Sequence, residues 1–117
     1  MLKALVAEDE MLIRELIVED LTDAGFTVTA VGAAEEALSA IEQDGSFDLL
    51  FTDIRMPGSL DGWELGRRAL ELSPGLRVVY ATGYSDNVQQ LSARERRIAK
   101  PYRYEEVVAI LRSLDLL

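Results

Sequence analysis

The amino-acid sequence predicts an α/β fold built on a parallel β-sheet. Five short segments have the character of strands, the first four apolar and the last one polar, and each is followed by a stretch in which apolar residues recur at helical spacing. Strands that alternate with helices are typical of a parallel sheet, because parallel neighbours need a crossover connection. The chain has 117 residues, 49% of them apolar, which is enough to bury the core of one domain spanning residues 1–117.

Two strand–helix units are expected in the first part of the chain. Residues 2–7 form a buried strand, and apolar residues then recur at helical spacing over 13–24. Gly25 follows where a helix C-cap glycine is expected. The segment 26–31, FTVTAV, alternates apolar residues with threonine as a strand does, and a second helix is expected from residue 34 to a close near Gly45.

The third strand is the most apolar, and the elements after it are expected in the same alternation. Residues 47–52, FDLLFT, are typical of a strand that is buried on both faces. Asp61 is placed to cap a helix that stops before Ser73-Pro74, and residues 76–81 form a fourth strand. The remaining elements are a short helix at 85–91, a short polar edge strand at 98–101 and an amphipathic helix at 104–114.

Composition and charge exclude several classes of function. Twelve Lys and Arg against 21 Asp and Glu give a net charge of −9, which disfavours DNA and membrane surfaces as partners. The chain has no cysteine and no histidine, so thiolate metal sites, thiol nucleophiles and histidine-based catalysis are excluded. The apolar stretch at the N-terminus is too short for a signal sequence or a membrane span, and a cytoplasmic location is expected.

Polar residues follow four of the predicted strands: Glu8 and Asp9, Asp53, Thr82, and Lys100. The carboxyl ends of parallel strands share one edge of a sheet, where open α/β folds place their chemistry. Clustered carboxylates are costly unless a cation compensates them, and hard oxygen ligands favour Mg²⁺. We therefore predict a Mg²⁺-dependent phosphoryl site with Asp53 as the nucleophile and Lys100 as an added positive charge. Taken singly, each of these residues is more commonly a turn residue, a helix-terminus charge or a solvated strand end.

The same residues, together with Met56-Pro57, Asp61-Gly62 and Pro101, resemble the receiver domain of two-component response regulators. The resemblance covers essentially the whole chain. It implies a flavodoxin-like (CheY-like), doubly wound sheet of five strands in the order 2-1-3-4-5, with five helices. It also implies that Asp53 accepts a phosphoryl group from the phosphohistidine of a sensor histidine kinase or phosphotransfer protein. No enzymatic turnover is expected beyond this acceptance and a slow hydrolysis of the aspartyl phosphate.

The resemblance also assigns roles to the residues around Asp53. Asp9 and Asp53 would be the acidic Mg²⁺ ligands, Glu8 would help through water, and the backbone carbonyl of Arg55 would complete the protein ligands. Thr82 and Lys100 would bind phosphoryl oxygens.

Many receivers carry a switch aromatic three residues before the lysine, where this chain has Arg97. Residues 80–84, YATGY, with Tyr102 after Lys100-Pro101 and a longer loop at 57–62, resemble instead the receiver subgroup nicknamed for its FATGUY motif. Tyr80 replaces the Phe of that motif. Our hypothesis is that Tyr84 or Tyr102 carries part of the signal.

Other interpretations of the chain stay open at this point. The predicted single domain carries no output domain, so its output is expected to be contact with another protein, or it serves as an intermediate or sink for phosphoryl groups. A receiver-like interaction module that is never phosphorylated is the alternative from another class. A Mg²⁺-dependent aspartyl phosphatase is disfavoured, because Arg55 stands where such enzymes need a second acid. The basic residues Arg94, Arg96 and Arg97 form either a solvated edge or a surface for an acidic partner.

Overall fold

Five parallel strands form the one sheet of this computed structural model, which describes residues 1–83, 86 and 89–117. The strands are β1 Lys3–Ala7, β2 Thr27–Val31, β3 Leu49–Asp53, β4 Arg77–Thr82 and β5 Glu95–Ala99. Their order across the sheet is β2-β1-β3-β4-β5, and every neighbouring pair is parallel. The predicted fold class and strand order are confirmed.

Four helices connect or follow these strands in the part of the chain that the structure describes. They are α1 Met11–Asp23, α2 Ala34–Gln43, α3 Gly62–Leu72 and α4 Tyr104–Ser113. The short helix expected at 85–91 falls on a stretch in which residues 84, 85, 87 and 88 lie outside the described residues. In the described residues, no helix has both the length and the apolar character needed to cross a membrane.

The sheet is covered on both faces, as a doubly wound fold requires. The face covered by α1 and α4 buries one set of apolar residues that includes Ala4, Val6, Leu49, Phe51, Val79, Ile17, Leu21, Val107 and Leu111. The face covered by α2 and α3 buries a second set that includes Leu5, Leu50, Val78, Tyr80, Ala37, Ile41, Leu65 and Ala69. Every residue of β3 is buried, as the apolar run predicts for a central strand. The buried central strand therefore ends at Asp53.

Tyr80, which stands where the FATGUY motif has Phe, has a hydroxyl that makes a contact of its own. Its ring is buried beside Trp63, with ring centroids 4.5 Å apart, and its hydroxyl donates a hydrogen bond of 2.5 Å to Glu95. Burial and the nearby Glu95 carboxylate raise the pKa of Tyr80, so the phenol stays neutral and acts as the donor. Gly66 is required beneath this ring, because a Cβ there would lie 2.1 Å from the Tyr80 hydroxyl. The hydroxyl thus ties β4 to the edge strand β5.

Two of the three arginines at the edge strand, Arg94 and Arg96, are bonded to neighbouring elements. Arg94 donates hydrogen bonds to the carbonyls of Ser73 and Leu76, at 2.6 and 3.1 Å. Arg96 donates to the carbonyl of Ser113, at 3.0 Å. These two side chains therefore fasten β5 to the loop before β4 and to the end of α4, and of the three only Arg97 is exposed.

Candidate functional site

The candidate site lies at the carboxyl edge of the sheet. Asp53 ends β3 and Thr82 ends β4, while Glu8 directly follows β1 and Lys100 directly follows β5. In the observed strand order β3 lies between β1 and β4, so Asp53 stands at the centre of this edge. The edge between β1 and β3 is also where the strand order reverses, which is the usual ligand position of open α/β sheets.

Three carboxylates meet at this point, and we call Glu8, Asp9 and Asp53 the acidic cluster. Their carboxylate oxygens lie within 4.8 Å of one another. Glu8 is 4% exposed and Asp53 is 5% exposed, while Asp9 is open to solvent. Burial is the largest influence on Glu8 and, with the negative charge of Asp53, raises its pKa to about 7, although the N–H of Glu10 and the charge of Lys100 act in the opposite direction.

The donor set of the acidic cluster fits a hard divalent cation. Only oxygen ligands are present, two of the carboxylates are held in a buried corner, and the third faces water. Mg²⁺ prefers such oxygens and keeps part of its hydration shell. A cation here would favour the charged form of Glu8, against the burial and the charge of Asp53 that raise its pKa. The cluster therefore has the chemistry of a Mg²⁺ site.

Lys100 forms an ion pair with this cluster. Its ammonium lies 2.8 Å from Oδ2 of Asp53, as the shared edge of the sheet predicts. Burial acts to lower the pKa of Lys100, but the hydrogen bond and the charge of Asp53 outweigh it and raise the pKa on balance. The lysine is therefore a fixed positive charge at the carboxylate.

The connection between β3 and α3 holds the backbone of Asp53 in place. The N–H of Gly62 donates to the carbonyl of Ile54 at 2.9 Å, which closes the base of this loop. A Cβ at position 62 would lie 2.2 Å from the carbonyl oxygen of Asp53. Further along the loop, the N–H of Arg55 donates to Oδ1 of Asp53 at 3.2 Å. The sequence marked Gly62 as the start of a helix, and its contact with Asp53 was missed.

Thr82 lies at the same edge, but its hydroxyl forms no hydrogen bond with Asp53. The hydroxyl is buried and donates to the carbonyl of Ile98 at 3.5 Å. The backbone carbonyl of Thr82 accepts a hydrogen bond of 2.8 Å from the N–H of Lys100. The two residues predicted to bind phosphoryl oxygens are therefore linked to each other through the backbone.

An ion pair between Arg55 and Asp86 also joins the loops that follow β3 and β4. The carboxylate of Asp86 accepts the N–H of Gly83 as well, and its side chain is almost fully buried. The sequence patterns gave the side chain of Arg55 no partner and did not single out Asp86. Nothing in the local pattern marks such a pair, because its partners lie 31 residues apart.

The aromatic residue beside the site is Tyr102. Its half-buried ring packs edge-on against Phe51 of β3, with centroids 5.5 Å apart. Burial, followed by the negative charge of Glu8, raises the pKa of Tyr102. Arg97, at the position of the usual switch aromatic, is exposed and pairs in register with Tyr80. Tyr84, the other aromatic of the hypothesis, lies outside the described residues.

A five-stranded sheet of this order with an acidic carboxyl edge has the architecture of a receiver, and the comparison with known families agrees. The chain belongs to the receiver domain family of two-component response regulators: the family model for the response regulator receiver domain matches residues 4–112. The likeness to the FATGUY subgroup stays a prediction.

Particular relatives give the same result. The chain is 34% identical over 112 residues to the response regulator receiver protein CpdR of Brucella abortus, covering 92% of each chain. It has the same identity to the C4-dicarboxylate transport transcriptional regulatory protein DctD of Rhizobium meliloti, of which it covers 24%. Among solved structures, a response regulator receiver protein from Sinorhizobium medicae is 30% identical, with a TM-score of 0.83 over 97% of this chain and 94% of that one. The Vibrio cholerae chemotaxis protein CheY4, at 21% identity and a TM-score of 0.79 over 97% of this chain and 98% of that one, shares the fold.

Proposed function

We propose that the protein is a phosphorylation switch whose acceptor is Asp53. A carboxylate oxygen of Asp53 attacks the phosphorus of a phosphohistidine on a sensor histidine kinase or phosphotransfer protein. The new P–O bond gives an acyl phosphate, while the P–N bond breaks and the imidazole keeps its electrons and takes up a proton. The single observation that carries the proposal is the position of Asp53, which lies within the acidic cluster and 2.8 Å from the ammonium of Lys100.

The residues around Asp53 would bind the metal ion and the phosphoryl oxygens. Glu8, Asp9, Asp53 and the backbone carbonyl of Arg55 would hold Mg²⁺, which supplies neutralising charge to the transferring group when bound. Lys100 adds a positive charge to phosphoryl oxygens. Thr82 binds a phosphoryl oxygen by turning its hydroxyl away from the carbonyl of Ile98. The same residues support phosphorylation by a small donor and slow hydrolysis of the product.

The output of the switch is a change in protein contacts. Phosphorylation adds negative charge at Asp53 and draws Lys100 and Thr82 toward it. Because both residues belong to the ends of β4 and β5, the change reaches the edge of the sheet. Tyr102 follows Lys100 by two residues and packs on Phe51, so its ring moves with the same segment. This supports a role for Tyr102 in the signal.

We further propose that the protein works in the cytoplasm and that its phosphoryl donor docks on the exposed apolar face of α1. Met11, Leu12 and Leu16 are 61%, 75% and 63% exposed, an unusual concentration of apolar surface on one helix. An adjoining groove of about 390 Å³ is lined by Ile13, Leu16, Asp20, Lys100, Pro101 and Tyr102. Since Lys100 lines this groove and contacts Asp53, the surface lies beside the carboxylate that a phosphohistidine has to reach.

The docking proposal predicts different results with two kinds of donor. The double variant Leu12→Ser, Leu16→Ser is expected to slow transfer from a phosphorylated histidine phosphotransfer protein at least tenfold, because it removes apolar contact area. Phosphorylation by acetyl phosphate should not change. Leu72→Ser, which alters a leucine that is 50% exposed on α3, is the matched control and should react like wild type with both donors. Equal transfer rates in the double variant and the control would contradict the docking surface.

The switch itself is tested with Mg²⁺ and acetyl phosphate, read by intact mass. Wild type should gain the mass of one phosphoryl group only when Mg²⁺ is present, and Asp53→Asn should gain none, because an amide is a poor nucleophile. The variant should keep its fold, which circular dichroism checks. A wild-type protein that binds Mg²⁺ but is modified by neither acetyl phosphate nor a phosphohistidine donor would contradict the switch. That result would favour the interaction module.

A further inference from the structure

Glu35, in the first turn of α2, contacts a loop that lies far from it in sequence. Its Oε2 accepts hydrogen bonds from the backbone N–H groups of Ser59 and Leu60, at 3.2 and 3.1 Å. The hydroxyl of Ser59 donates to the same oxygen at 3.3 Å. Hydrogen bonds from its own N–H, from Leu60 and from Ser59 lower the pKa of Glu35, so the group that binds the loop is the carboxylate.

The loop of residues 54–61 is shaped to receive this carboxylate. Gly58 has a φ of +119°, and a Cβ there would lie 2.9 Å from Oε2 of Glu35. A side chain at position 58 would therefore be strained in its backbone and crowded against the carboxylate. Leu60 beside it is buried in the core. Glu35 thus fixes the middle of the loop, while the bond from Gly62 to Ile54 fixes its ends.

The loop carries the backbone of the candidate metal site. Arg55 lies within it, donates its N–H to Asp53 and bears the carbonyl proposed as a Mg²⁺ ligand. A site binds its metal more weakly when the loop that provides a carbonyl ligand must first be ordered, because the cost of ordering the loop reduces the binding free energy. Outer residues that hold metal ligands in place affect affinity for the same reason.

We propose that Glu35 is a positioning residue of the metal site: its carboxylate holds the 54–61 loop in the conformation that binds Mg²⁺. This inference rests on the proposed function, because it assumes that the acidic cluster takes Mg²⁺. The residue makes no contact with the acidic cluster in the described structure and acts through Ser59 and Leu60 alone.

Three variants separate the hydrogen bonds from the charge. Glu35→Ala removes both the acceptor and the charge, while Glu35→Gln removes the charge and keeps a side-chain oxygen that accepts from the same N–H groups. Glu36→Ala removes one negative charge from the next position of the same exposed turn, which makes it the matched control. Mg²⁺ affinity is measured through the fluorescence of Trp63, the chain's one tryptophan, which borders the loop beside Met56 and Pro57.

Glu35→Ala should weaken Mg²⁺ binding by roughly threefold to tenfold, while Glu35→Gln and Glu36→Ala stay within about twofold of wild type. Amide hydrogen exchange of Ser59 and Leu60, measured without metal, should accelerate in Glu35→Ala alone. Equal affinities in wild type and all three variants would overturn the inference and leave the proposed function standing. Equal losses in Glu35→Ala and Glu35→Gln would also overturn it, because charge alone would then explain the effect. A wild type that binds no Mg²⁺ would overturn both.

Discussion

Replacing Lys100 with alanine is expected to slow phosphorylation of Asp53 by roughly a hundredfold, because the charge that stabilises the transferring phosphoryl group is lost. The same change should strengthen Mg²⁺ binding. In the structure the ammonium of Lys100 occupies Oδ2 of Asp53 at 2.8 Å, so lysine and metal compete for one carboxylate. Acetyl phosphate kinetics at saturating Mg²⁺ measure the first effect, and a Mg²⁺ titration measures the second.

The opposite signs of these two effects make the test specific. A variant that merely disturbs the fold weakens both properties together. Lys3 is the chain's other lysine and pairs with Asp44 at 2.5 Å, and it begins β1 at the opposite end of the sheet. Lys3→Ala therefore removes the same charge without touching the site, and it should leave both measurements unchanged. Phosphorylation of Lys100→Ala at the wild-type rate would contradict the role given to Lys100.

Gly62→Ala is expected to lower the free energy of unfolding by about 3 kcal/mol or more, which is the upper end of overpacking effects. The added Cβ would lie 2.2 Å from the carbonyl oxygen of Asp53 and 2.5 Å from the Cα of Ile54. Backbone atoms at the end of a buried central strand have no free space to move into. Urea unfolding, followed by circular dichroism, measures the change.

Gly45→Ala is the control for this prediction. No atom lies within 4 Å of a Cβ at position 45, and its backbone has no positive φ. Its effect should stay within about 0.5 kcal/mol, as for surface substitutions in general. Any Gly62→Ala protein that folds should also accept phosphoryl groups more slowly, because Asp53 must move to relieve the contact. A loss of stability in Gly62→Ala no larger than in Gly45→Ala would contradict the close approach.

The fold was predictable because its signals are local. The apolar run that became β3 and the helical spacing that became α1 and α2 depend on neighbours in sequence, and the structure confirms both. The strand order came from the resemblance and not from these patterns. Edge strand β5 runs over Glu95–Ala99, earlier than the expected 98–101, because Glu95 and Arg96 pair with Val78 and Val79 of β4 although their side chains are charged.

The candidate site likewise has a part that was predictable from local signals and a part that was not. Asp53, Glu8 and Lys100 come together because each ends a strand or directly follows one, and the carboxyl ends of parallel strands coincide. The contacts that support them were not predictable, because they join residues far apart in sequence. Glu35 reaches Leu60 across 25 positions and Arg55 reaches Asp86 across 31. The binding of a phosphoryl oxygen by the Thr82 hydroxyl stays a prediction, and in the structure this hydroxyl donates to the carbonyl of Ile98.

The most direct test of the central claim is to locate the phosphoryl group in the chain. The protein is incubated with Mg²⁺ and acetyl phosphate and treated with borohydride, which reduces an acyl phosphate to a primary alcohol. Tandem mass spectrometry of the peptides then identifies the reduced residue. The account predicts homoserine at position 53 and nowhere else, and none when Mg²⁺ is withheld. Reduction at Glu8 or Asp9 with an unmodified Asp53, or no reduced residue at all, would contradict it.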